Sequence, residues 1–238
     1  MNDFDKVIDN IVDDGEKPVT YVAIILDESG SMGSIATEVV GGFNTEVDLY
    51  KERSKEGILK ISLIKFSHIV NVLFWHKNPN NIEKIEIKQG SYMPSGMTAL
   101  CDAVGLVIKE FEEIAEKEPA AAFLVNIISD GEENSSQKFK ASDIKESIEK
   151  LTVTGKWTFT YLGANQNMWD VSRKFGINIG NTQIFEATSV GTMSANNTRY
   201  ASLDTYFGNR SKGVTTSSTF YDVEDDKKDY NIYKNTGA

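Results

Sequence analysis

The chain is poor in the residues that staple, break or anchor a fold. Among 238 residues there are one cysteine, two histidines and four prolines. A single thiol, Cys101, makes no internal disulfide, so nothing here calls for an oxidising compartment. No stretch reaches the roughly 18 apolar residues of a spanning helix. The opening MNDFDKVIDNIVDD has neither the basic start nor the apolar run of a secretory leader. Basic residues are outnumbered as well: 25 Lys and Arg against 35 Asp and Glu give a net charge of -10 and a pI of about 4.8. Such a chain repels phosphate backbones and anionic bilayers, which speaks against nucleic acid and membranes as partners. A cytoplasmic protein is expected, in which the Asn-X-Ser/Thr triplets at Asn134, Asn196 and Asn209 carry no meaning.

What is present suits one α/β domain, or one domain plus a tail. The hydrophobic fraction is 40% and the charged fraction 25%, ordinary for a globular protein. Residues 3–13 place Phe4, Val7, Ile8, Ile11 and Val12 on one helical face, so residues 1–17 read as an amphipathic helix and its exit. TYVAIIL (20–26) and AAFLVNIIS (121–129) are continuous apolar runs, as in strands buried on both faces. ILKISLIKFS (58–67) and VNVLFWH (70–76) alternate apolar and polar residues, and Ser67-His68-Ile69 between them reads as a hairpin turn. KWTFTYLG (156–163) and 182–186 are further strands. Helices are expected over 35–55, 99–117, 142–151 and 168–175. Gly41 and Gly42 inside the first of these point to a close helix–sheet contact or to a kink. Strands alternating with helices predict a Rossmann-like α/β fold: a mostly parallel sheet with one antiparallel edge strand and helices on both faces. The domain is expected over 18–188, with a possible helix over 189–208 and a polar, flexible tail over 209–238.

In open α/β sheets ligands sit at the carboxyl ends of the strands. Those ends hold Asp27-Glu28-Ser29-Gly30-Ser31, Ser129-Asp130-Gly131 and Gly163-Ala164-Asn165, and Ser95-Gly96-Met97-Thr98 precedes the second long helix. The collection is all oxygen, which selects hard cations such as Mg2+, Ca2+ or Mn2+. Asp27 and Asp130 balance one divalent charge, and Ser29, Ser31 and Thr98 add neutral donors.

Read singly, each segment is an ordinary helix cap or turn. Together they resemble the metal-ion-dependent adhesion site, or MIDAS, of von Willebrand factor type A domains. Asp27-x-Ser29-x-Ser31, Thr98 and Asp130 fill its ligand positions in chain order, and the resemblance spans roughly residues 18–188. It implies a Mg2+ site, with Mn2+ or Ca2+ as alternatives, formed by Asp27, Ser29, Ser31, Thr98 and Asp130. It also implies that a Glu or Asp of a protein partner supplies the last ligand, and the chain looks similar to cytoplasmic bacterial or phage proteins of this family. Met97 stands where the family more often has a second glycine.

The expectation is a binding module and not an enzyme. The alternatives are a metal-dependent hydrolase or phosphotransferase and a structural subunit with a stabilising metal. A dehalogenase-like phosphatase would want an aspartate where Ser29 stands, and Gly30 and Gly33 lack the Gly-Lys-Ser/Thr of a P-loop. His68 and His76 read as surface or hairpin residues, Cys101 as a buried small hydrophobe, and Glu132-Glu133 as solvated. Asn165 and Gln166 end a strand on the same rim, either as an ordinary loop or as residues that shape partner choice.

Overall fold

A computed structural model describes residues 19–164 and 168–221. The N-terminal amphipathic stretch, Asn165 and Gln166, and the chain beyond Tyr221 lie outside the described residues. Six strands form one sheet: β1 (Val19–Asp27), β2 (Ile58–Phe66), β3 (Val70–Lys77), β4 (Ala122–Ser129), β5 (Trp157–Ala164) and β6 (Thr182–Phe185). Their order is β3-β2-β1-β4-β5-β6, and every neighbouring pair is parallel except β2 with β3. The helices are α1 (Ala36–Arg53), α2 (Leu100–Lys117), α3 (Ala141–Val153), α4 (Met168–Lys174) and α5 (Ser189–Arg210). This is the Rossmann-like arrangement that the sequence predicts. Among the described residues no helix is long and apolar enough to cross a membrane.

β1 is apolar from Tyr21 to Leu26 because it is central and covered on both sides. Val22, Ile24 and Leu26 pack with α1 and α5, whereas Tyr21, Ala23 and Ile25 pack with α2 and α3. β2 departs from its alternating appearance. Its polar positions Ser62 and Lys65 are buried, Ser62 with a partner on β3 and Lys65 with Glu28 just past the end of β1. The Ser62 hydroxyl accepts from the His76 backbone N–H at 3.0 Å. His76 is also no free surface residue: its ring packs on Tyr21 and Phe111, and its Nε2 lies 2.8 Å from Glu110 Oε1.

Gly42 is explained by a helix–helix contact, which corrects the helix–sheet expectation. A Cβ there would lie 2.6 Å from the side chain of Asn196 on α5, whose amide donates to the Glu38 carbonyl at 2.8 Å. Gly41 meets nothing within 4 Å. It borders a groove of about 550 Å3 between α1 and α5.

The segment read as a flexible tail from Asn209 is held in place as far as Tyr221, and α5 belongs to the same core as α1. β6 pairs only with Tyr161–Ala164, which leaves the edge of β5 over 157–160 open. An open edge needs cover. Thr216 Oγ1 donates to the Trp157 carbonyl at 2.8 Å, the Ser217 N–H donates to Thr158 Oγ1 at 3.0 Å, and Asn181 donates to the Phe159 carbonyl at 3.1 Å. Phe220 and Tyr221 then bury against α5 and the Gly180 turn. The Ser/Thr-rich composition that looks like a loose tail supplies hydroxyl partners for a strand edge.

Candidate metal centre

The strand ends β1 and β4 lie side by side, and the loop before α2 closes over them. β1 ends at Asp27, and the chain turns at once into a short 3-10 helix over Gly30–Ile35. The turn is fixed by the aspartate itself, because the Ser29 N–H donates to Asp27 Oδ1 at 2.7 Å. From β4, the Ser129 hydroxyl donates to Asp27 Oδ2 at 2.5 Å. The Ser31 hydroxyl donates to Asp130 Oδ1 at 2.6 Å and lies 3.1 Å from the Ser29 hydroxyl. Thr98 completes the group. A Cβ added at Gly131 would stand 3.0 Å from Thr98 Oγ1 and 3.7 Å from Asp27 Oδ2, so both oxygens flank that glycine. All five residues singled out in the sequence therefore come together, and Asp27, Ser29 and Thr98 form a buried floor under the more exposed Ser31 and Asp130.

Two carboxylates so placed are uncomfortable. Desolvation pushes the Asp27 carboxyl from its ordinary 3.8 up to about 6, against the hydrogen bonds from Ser129 and Ser29, and the charge of Asp130 adds to the rise. Burial raises Asp130 as well. Among the described residues neither carboxylate has a Lys, Arg or His ion-pair partner. A cation from outside would relieve both. The donor set fits a hard one: two carboxylates and three hydroxyls, with neither thiolate nor imidazole among them. Among the described residues no cluster of three or more His, Cys, Asp or Glu side chains is placed for a metal. A site here must therefore draw on hydroxyls.

The loop bearing Thr98 is tied down by groups that the sequence reading passed over. Glu28 Oε1 accepts from Lys65 Nζ at 2.8 Å and from the Met93 N–H at 2.6 Å, all within a nearly buried pair. The Ser95 N–H donates to the Glu28 carbonyl at 2.8 Å, the Gly30 N–H donates to the Gly96 carbonyl at 3.1 Å, and the Tyr92 hydroxyl donates to the Asp27 carbonyl at 2.7 Å. Gly96 has φ +83°, and a Cβ there would lie 2.5 Å from His68 Nδ1. Glycine is thus required at 96, and the neighbouring position tolerates Met97, whose side chain is exposed.

Glu133 is not a solvated surface acid. It accepts from the backbone N–H groups of Cys101, Ser135 and Ser136 at 2.7, 2.9 and 2.7 Å, and from the Ser136 hydroxyl at 2.6 Å. Burial works against its charge, yet these donors hold its carboxyl below the usual range. It stitches the start of α2 to the loop after β4. An acid followed at two and three residues by serines is a signal that could have revealed it. Cys101 is buried as expected, and that burial raises its thiol, with Glu133 adding to the rise.

Several solved structures share this architecture. One is the manganese-loaded TRAP protein of Plasmodium vivax, at TM-score 0.53 and 20% identity over 76% of this chain and 72% of that one. Another is proximal thread matrix protein 1 of the mussel byssus with a zinc-occupied MIDAS motif, at TM-score 0.55 and 13% identity over 81% and 49%. A third is the PilB minor pilin of Streptococcus sanguinis, at TM-score 0.56 and 11% identity over 82% and 63%. The chain has a von Willebrand factor type A-type fold, and it spans about half the length of the mussel protein. No protein-family model matches the sequence, and no curated protein matches it significantly.

Proposed function

We propose that the chain is a metal-dependent binding module. In this reading Asp27, Ser29, Ser31, Thr98 and Asp130 hold one divalent cation, Mg2+ first and Mn2+ or Ca2+ as substitutes, and the partner is a protein that offers a Glu or Asp carboxylate to it. The observation that carries the reading is the convergence of Asp27 and Asp130, buried in part or in full, with no cationic side chain paired to either among the described residues. Neighbours in fold that hold manganese or zinc support a divalent ion in general.

When bound, such a cation supplies a positive, Lewis-acidic centre for an anionic oxygen. The work of this chain is positional. Ser129 and the Ser29 N–H orient the two oxygens of Asp27, Ser31 orients Asp130, and the Glu28–Lys65 pair sets the loop of Thr98. We read it as a binding module and not an enzyme, because the two aspartates face the cation and the nearby Cys101 thiol is buried. Titration calorimetry with Mn2+ tests the reading: one equivalent binds to the native chain and none to Asp27→Asn. Equal binding by both would refute the assignment. Capture of a partner that is lost in EDTA tests the second half.

A further inference from the structure

On the face of the sheet covered by α1 and α5, those two helices leave a groove of about 550 Å3 open along their first turns. Its α1 wall is low, because Thr37, Gly41 and Thr45, spaced four apart, share one helix face. A Cβ at Gly41 would meet nothing within 4 Å, so the wall there is backbone alone. Its α5 wall is apolar. Met193 and Tyr200 line it at 58% and 37% exposure, and Val190, three residues before Met193, stands 79% exposed. Among the described lining residues Glu38 alone is charged. Single exposed apolar residues are ordinary, but a stripe of them along a groove marks a contact surface.

At its other end the same helix pair meets the start of β1. Arg210, the last residue of α5, donates from Nε to Thr20 Oγ1 at 3.0 Å and from Nη2 to the Val19 carbonyl at 3.1 Å, so β1 begins at the foot of α5. We propose that residues 3–13 of this chain occupy the groove as a helix, with Phe4, Val7, Ile8, Ile11 and Val12 set against Met193, Tyr200 and the Gly41 backbone. The lengths agree. Arg210 to Tyr200 is about 15 Å along α5, and residues 14–18 span up to about 17 Å when extended. Tyr200 to Met193 is about 10 Å, and Phe4 to Val12 is about 12 Å of helix. Gly15 and Pro18 suit the reversal of the chain into β1. The charges agree as well. On a helix Asp3, Asp5, Asp9 and Asp13 fall outside the apolar stripe and stay in water, which turns an uncharged face toward a groove lined by one charge. This docking does not depend on the metal reading.

Disulfide trapping in the full chain tests this. Docking as drawn brings residue 12 to the Thr45 end of the groove, so the Val12→Cys, Thr45→Cys variant should oxidise within one chain. It should do so at least about tenfold faster than Val12→Cys, Val153→Cys, because a docked pair holds its thiols at high effective concentration. Val153 is exposed on α3, which packs on the opposite face of the sheet, and the native Cys101 is buried. Adding Gly41→Phe should fill the groove and bring the fast pair down to the rate of the control. Open space at Gly41 lets that variant fold, which a thermal melt checks. Equal rates in the two pairs would overturn the docking. A fast disulfide formed between two chains would overturn it in favour of a second copy as the occupant. A fast disulfide untouched by Gly41→Phe, in a variant that still melts cooperatively, would overturn the groove as the seat.

Discussion

Among the carboxylates buried in the described residues, Glu46 and Asp27 are answered in opposite ways. Between α1 and α5, Glu46 is fully covered and meets Arg199 at 2.6 Å, with the Tyr50 hydroxyl donating to it at 3.1 Å. Burial lifts Glu46 to about 7, and the Arg199 guanidinium pulls the other way. At the strand ends, Asp27 and Asp130 face each other with hydroxyls and a backbone N–H but no cation among the described residues. The fold supplies its own counter-charge where a charge only has to join two helices. It withholds one where the charge faces a mouth. Internal pairing makes a fixed joint, and the unpaired carboxylates are what the proposed metal site rests on.

The comparison breaks most sharply at Arg199. Arg199→Ala removes the counter-charge of Glu46, which must then bind a proton or stay buried as an unpaired charge, and the variant should lose about 3–5 kcal/mol in urea unfolding at neutral pH. Loss below about 1 kcal/mol would mean that the joint is not a pair in solution. By contrast, Asp130→Asn removes one of two repelling charges, so the metal-free protein should gain stability or hold it.

Metal should act at one place only. Mg2+ at 100 times its dissociation constant should stabilise the native chain by about 2.7 kcal/mol, seen as a raised melting temperature. The same addition should leave Asp27→Asn unmoved and should still stabilise Arg199→Ala if that variant folds. An equal rise in Asp27→Asn would place the ion elsewhere.

The smallest effect is in pH. Asp27 binds its proton more tightly in the folded, metal-free chain, near 6 against an ordinary 3.8. Its contribution to stability is therefore fully present below the ordinary value and is lost as pH rises through about 6. Metal-free melts at pH 5 and 7.5 should show this decline, Asp27→Asn should flatten it, and saturating Mg2+ should remove it at the upper end. Metal affinity itself should weaken below about 6 as protons compete for the same oxygen. Identical pH profiles with and without Mg2+ would refute the coupling.

Much of the fold was legible because it is written locally. β1 and β4 are runs of apolar residues, and a run of that kind reads as a two-sided strand from any starting point. Part of the candidate site could be picked out for the same reason, since Asp27, Ser29 and Ser31 lie within one turn. Their supports could not. Lys65 looks like an outward position of an alternating strand, and only the loop folded back from Met93 makes it a buried partner of Glu28. Gly42 is explained by Asn196, and Thr216 by the open edge of β5, through contacts that no window of sequence contains.

By itself the sequence determined which segments extend, which coil and which oxygen donors stand at their ends, because periodicity and spacing are short-range properties of the chain. The tertiary structure alone decided that Asp27 and Ser129, 102 residues apart, would touch, and that Asp27 would be buried with no cationic side chain paired to it among the described residues. Those outcomes follow from the order of strands and the crossovers between them, which place distant residues together and set the desolvation that each one feels.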